Sequence, residues 1–194
     1  MVAGSILPIT IHNNEVLFLF GKENEFEDSA KGWSDFGGRC DNNETPFQAA
    51  LREGGEELTG FLGDSTMIHQ MIRKNGGTYD IIHNGYHVHI FYIDYDEKLP
   101  EYYNQNHRFL WDRMDKKILS QTKLFEKIEI KWFSLNEMKQ QKKGFRSFYQ
   151  DIINIFIKDI SKIKKFIERK STGKKSTNKS TNKSTNKSTR KSIR

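Results

Sequence analysis

The stretch from Gly37 to Gly60, GGRCDNNETPFQAALREGGEELTG, constrains this chain more than any other. Thr45 followed by Pro46, with Gln48 three positions after Thr45, spells a helix start. The hydroxyl caps the N3 amide, Pro suits the first helical position, and the Gln reaches back. A helix beginning at about residue 46 has a fixed phase. At about 3.6 residues per turn, Glu53, Glu56 and Glu57 fall within an arc of roughly 100°. Phe47, Leu51, Gly54 and Leu58 are expected on the opposite side, towards a core.

Stability alone does not explain this composition. Like charges three and four residues apart destabilise a helix by a few tenths of a kcal/mol, roughly, per pair. Gly54 and Gly55 each cost about 1 kcal/mol relative to Ala. Converging carboxylates make sense around a hard divalent cation, because Mg²⁺ and Mn²⁺ select oxygen ligands. The other reading is an acidic face turned to solvent, as charge runs usually are. Residue types alone leave both open.

The stretch resembles the Nudix box, G-x5-E-x7-R-E-U-x-E-E-x-G-U with U aliphatic. Gly38, Glu44, Arg52, Glu53, Glu56 and Glu57 match its fixed positions in spacing. Two departures stand out. Gly54 occupies the aliphatic position after Glu53, and the closing glycine, Gly60, arrives one residue late, after Thr59. Neither falls on a residue to which the resemblance assigns a metal.

The fold the resemblance implies is an α/β/α sandwich around a mixed β-sheet, over residues 1–169. Its implied activity is metal-dependent hydrolysis of a nucleoside diphosphate linked to another moiety, with Mg²⁺ or Mn²⁺ as cofactor. Residue by residue, it makes Glu56 and Glu57 metal ligands and Glu53 a ligand or the general base, with Gly37 offering a backbone carbonyl. Arg52 holds a glutamate in its rotamer, and Glu44 lies at the loop edge. A further glutamate from outside the box is expected at Glu129, with Glu126 as second choice. A non-catalytic Nudix-fold module that binds RNA or protein is the alternative.

Charge is distributed unevenly. Nine of the 32 basic residues lie in 170–194, where there is no acid, leaving 23 against 25 acidic residues in 1–169. That tail repeats Lys-Ser-Thr-Asn with almost no apolar side chain, a composition expected to be disordered. It suits a salt-dependent tether to nucleic acid, or a dispensable extension. The tail tilts the substrate towards capped RNA, so mRNA decapping and RNA binding are the finer expectations. Trp33, Tyr102, Tyr103 and Trp111 are candidate platforms for a base. Cys40 is the only cysteine, so no internal disulfide forms and a reducing compartment, the cytoplasm, is expected. No long apolar run marks a signal peptide or membrane span.

Along the chain, residues 5–11 and 15–20 read as strands joined at His12-Asn13-Asn14, with Pro8 placing the first at an edge or bulge. Residues 21–32 read as a polar loop, and Asp35-Phe36-Gly37 copies a kinase triplet with no other kinase element beside it. Residues 85–95 read as a long strand whose His87 and His89 lack further ligands at metal spacing. Residues 104–119 read as partly helical. A strand at 127–133 precedes a helix that opens at Ser134 with Glu137 at N3. From Phe145 to Ile167 apolar residues recur at helical spacing, predicting a long helix packed on the sheet. Its basic end leaves a membrane-surface role as a lesser reading.

Overall fold

Side chains on the two strands of the first hairpin alternate between apolar partners above and below, and the whole molecule is built on that alternation. The structure is a computed structural model describing residues 2–24, 31–121 and 125–184, with the side chains of 120–121 and 170–184 outside that description. The strands are β1 (Ala3–His12), β2 (Glu15–Glu23), β3 (Trp33–Ser34), β4 (Phe36–Arg39), β5 (Tyr79–His83), β6 (Tyr86–Tyr92) and β7 (Lys127–Ser134). The helices are α1 (Pro46–Glu57), α2 (Ser65–Lys74), α3 (Lys98–Trp111), α4 (Lys116–Gln121), α5 (Leu135–Gln140) and α6 (Tyr149–Ser184).

Among the described residues the seven strands form one mixed sheet, in which β1 lies parallel to β6 and antiparallel to β2 and β4. β7 runs along β2, and β5 closes the other side against β6. Odd residues of β1 (Leu7, Ile9) join Phe18, Phe20, Val88, Ile90, Phe133 and the α6 stripe in one core. Even ones (Ile6) join Leu19, Phe36, Phe91, Ile130 and residues of α1, α2 and α3 in the other. Helices therefore cover both faces, as an α/β/α sandwich requires.

Pro8 corrects one expectation, since β1 sits inside the sheet and not at its edge. On one side β1 pairs with β4 as far as Ile6 and with β2 only from Ile9, so Pro8 falls where the partner changes and no ladder donor is missed. The hairpin turn at Asn13 and Asn14 is as expected, both at positive φ (47° and 65°). Sequence reading overlooked β5, although Asn84-Gly85 (φ 49° and 79°) between apolar runs is a strong hairpin signal. It also overlooked α2, capped by the Asp64 side chain on the Met67 amide.

In α6, Ile152, Ile153, Phe156, Ile163 and Ile167 are fully buried against the sheet, so this stripe has no face left for a membrane surface. Among the described residues no helix is long and apolar enough to cross a membrane. The α6 backbone continues to Ser184, into the Lys-Ser-Thr-Asn repeats. The expected disorder of the tail concerns side chains, and from residue 185 the backbone too, that lie outside the described residues; much of the 21–32 loop (25–30) does so as well.

Candidate active site

Both halves of the capping box expected at Thr45 and Gln48 are present, and they set the start and phase of α1. Gly54 is the departure from the box, and packing explains it. A Cβ there would lie 2.2 Å from Ile6 Cδ1, so the helix sits too close to β1 for an aliphatic side chain. Gly38 on β4 faces the same helix, where a Cβ would meet the movable end of the Glu53 side chain, Oε1 at 2.3 Å. The late Gly60 leaves Thr59 in the left-handed region (φ 48°), a strained place for a β-branched residue.

Helical phase then divides the glutamates. Glu53 and Glu57, one turn apart, lie side by side, and Glu126 joins them just before β7. Each of the three offers a carboxylate oxygen within 4.8 Å of the others. Glu56 is turned about 100° from Glu57; its side chain is 62% exposed and is not brought to this group. Nor is Glu129, whose carboxylate faces Lys22 at 4.0 Å. The strand pairing gives the reason. The β2–β7 register slips between Lys22 and Glu23, so Lys22 pairs with Glu129 and Glu23 with Lys127, which breaks the simple alternation along β7.

Arg52 grips Glu44 with two nearly parallel bonds of 3.0 Å, from Nε and Nη2, and donates from Nη1 to Glu53 Oε1 at 2.8 Å. This bidentate bond, followed by the Asp41 amide, holds the Glu44 carboxyl below its ordinary range. Gly37 gives its amide, not its carbonyl, to Glu57 Oε2 at 2.9 Å. Cys40 is a free thiol, pushed up by burial and then by Glu44, which argues against a nucleophile.

Lys127 and Glu23 carried no sequence signal, yet they sit at the heart of the site. Lys127 is fully buried; its ammonium bonds Glu23 and Ser34 Oγ and lies 3.3 Å from Glu57 Oε1. Arg146 adds a second cation to Glu23 at 2.8 Å. Burial pushes the Glu57 carboxyl well above its ordinary range, Lys127 draws it back, and Glu23, Glu126 and Glu53 push it up again. Burial likewise acts to lower Lys127, but Glu57 and Glu23 outweigh it and leave the ammonium firmly charged.

An oxygen-only donor set of three converging carboxylates, one of them buried, fits a hard divalent ion. Among the described residues this is the one group of metal-ligating side chains that converges. His89 instead bonds Asp80 at 2.9 Å, and its ring lies 6.5 Å from that of His87. Of the expected platforms, Trp33 packs edge-on against Phe133 and Tyr103 is buried, its hydroxyl 2.9 Å from the Glu57 and Lys127 carbonyls. Tyr102 is half exposed under Lys98, and Trp111 lines a cavity between α3 and β7.

The NUDIX domain family model matches residues 4–153. No curated protein matches the chain by sequence. Similar solved structures include a C. elegans Ap4A hydrolase binary complex, 12% identical over 83% of this chain and 97% of that one, with a TM-score of 0.49. Another is a mutT/nudix family protein from Listeria innocua, 16% identical over 83% and 94%, with a TM-score of 0.44. A third is the NUDIX domain of Shewanella oneidensis NrtR complexed with ADP ribose, 11% identical over 82% and 88%, with a TM-score of 0.43. With the family model spanning most of its length and the box carried on a loop and helix over a mixed sheet, the chain belongs to the NUDIX domain family.

Proposed function

We propose that the chain hydrolyses the diphosphate linkage of a nucleoside diphosphate joined to another moiety, with Mg²⁺ or Mn²⁺ held by Glu53, Glu57 and Glu126. The observation that carries this reading is the convergence of three carboxylate oxygens within 4.8 Å at the inner end of α1. Without a cation, such a face repels a diphosphate. A bound divalent ion there supplies charge for the phosphoryl oxygens and acidifies a coordinated water.

The protein's own groups do the rest. Glu57 is the fixed ligand, with one oxygen on the Gly37 amide and the other facing Lys127. Glu53 has Arg52 on Oε1, which leaves Oε2 either to hold the ion or to orient the attacking water and take its proton. Arg52 sets the rotamer of Glu53 while Glu44 sets that of Arg52. Glu56, exposed on the rim, is available to an ion that arrives with substrate. The finer substrate reading is capped RNA, supported by the nine basic residues of 170–194. The single cysteine supports a reducing, cytoplasmic setting.

A second reading has one observation in its favour. The buried Lys127 already faces Glu57, as it could in a non-catalytic module that binds RNA or protein. A panel of diadenosine tetraphosphate, ADP-ribose, nucleotide sugars and capped RNA, assayed with Mg²⁺ and Mn²⁺, separates the two. Turnover that disappears in Glu57→Gln supports the hydrolase. No turnover on any diphosphate, with tight RNA binding, supports the module. Truncation after Ile167 weakens RNA binding and flattens its salt dependence if the tail is a tether.

A further inference from the structure

Near the converging glutamates the molecule holds a cavity of different chemistry. Between α3 and the start of β7 is a cavity of about 350 Å³, the size of a small-molecule site, lined by His107, Arg108, Trp111, Asp112, Ile128 and Glu129. Two contacts tie it to the glutamates. Tyr103, one turn before His107 on α3, places its hydroxyl 2.9 Å from the Glu57 carbonyl, and Phe125, next to Glu126, packs edge-on against His107 at 4.8 Å. The α3 wall of the cavity is therefore anchored on Glu57 itself and on the residue next to Glu126.

Its lining has the features of a site for a flat heterocycle. The Trp111 indole lies roughly parallel to the His107 ring (5.4 Å, 25°), so a rigid aromatic wall is already built. His107 is 6% exposed, and its Nε2 has no hydrogen-bond partner among the described residues. A buried polar atom without a partner is rare enough to need a reason. Arg108 brings a forked donor to the lining, and Asp112 and Glu129 bring acceptors. With Lys22 already facing Glu129 at 4.0 Å, the lining carries no excess of positive charge to draw a phosphate.

We infer that this cavity receives the base of the substrate and selects guanine. The inference rests on the hydrolase reading above and names the base its substrate carries. Guanine presents two acceptors, N7 and O6, to a guanidinium on one edge, and on the other edge donors suited to a carboxylate. Arg108 takes the first edge, Glu129 or Asp112 the second, and Trp111 the face. Adenine offers no O6 to Arg108, and a pyrimidine covers less of the indole.

The test is calorimetric titration of the full chain with GMP, AMP and UMP in EDTA, which reads the base site apart from the metal site. Mn²⁺ affinity is measured separately on the same preparations. GMP is expected to bind about tenfold more tightly than AMP, and UMP more weakly still. Trp111→Leu weakens GMP binding about tenfold and the double substitution Asp112→Asn with Glu129→Gln erases the preference for GMP over AMP, while Mn²⁺ affinity stays unchanged in both. Equal binding of the three nucleotides, or GMP binding in Trp111→Leu equal to wild type, overturns the inference. So does a loss of Mn²⁺ binding in Trp111→Leu. A chain that hydrolyses diphosphates with the same KM in Trp111→Leu defeats the base site alone. One that binds GMP through Trp111 and hydrolyses nothing defeats the hydrolase reading alone.

Discussion

The two faces of the sheet are built from different materials. Under α6 the core is aromatic and aliphatic, with Phe18, Phe20, Phe133, Phe145, Tyr149 and Phe156 in ring contact. Its chief buried charge is Asp35, which accepts from Ser5 Oγ at 2.5 Å and Tyr86 Oη at 2.6 Å. Under α1 and α3 the same sheet carries Lys127, Glu23 and Glu57 in the interior. Dry packing on one side lets the other accommodate buried carboxylates, which are expensive to desolvate. Stability is concentrated beneath α6, and the chemistry at the inner end of α1.

Substitutions on the two faces should therefore have different consequences. Glu57→Gln, which removes the fixed ligand, is expected to abolish measurable metal-dependent turnover while leaving the folded circular-dichroism spectrum intact. Phe156→Ala, in the middle of the other core, should destabilise by about 3–5 kcal/mol in urea melts and leave Mn²⁺ affinity unchanged. If both substitutions moved stability and turnover together, the contrast between the faces would fail.

Arg52→Lys sharpens the comparison within the polar face. It loses the two-pronged grip on Glu44, and metal affinity should fall about 10–100-fold. The pH dependence has a definite sign. The Glu44 carboxyl is depressed by Arg52, so its contribution to stability is complete above the unfolded value of about 4.3. It fades as pH falls through the lower folded value. Urea midpoints followed on acidification should lose part of that decline in Arg52→Ala. The smallest effect is expected at the helix exit, where Thr59→Gly relieves the left-handed conformation and stabilises by about 1 kcal/mol.

Much of the polar face was legible because its signals are local. Thr45, Pro46 and Gln48 fix the phase of α1, and the phase puts Glu53 beside Glu57. The α6 stripe was legible for the same reason, its spacing leaving Ile152, Phe156, Ile163 and Ile167 on the sheet. What escaped depends on register and long-range pairing. Counting by twos along Lys127-Ile128-Glu129 gives no hint of the slip opposite Glu23, and that slip accompanies Lys127 in the interior and Glu129 at Lys22. Glu126, the second choice in sequence, is the glutamate that meets the other two. Gly54 looked like a defect until Ile6 was seen beneath it.

The measurement that bears most directly on the account is Mn²⁺ titration followed by electron paramagnetic resonance in wild type, Glu126→Gln and Glu129→Gln. The account predicts that Glu126→Gln weakens Mn²⁺ binding about tenfold or more, whereas Glu129→Gln binds as wild type. Unaltered affinity in Glu126→Gln, or an equal loss in Glu129→Gln, would contradict it.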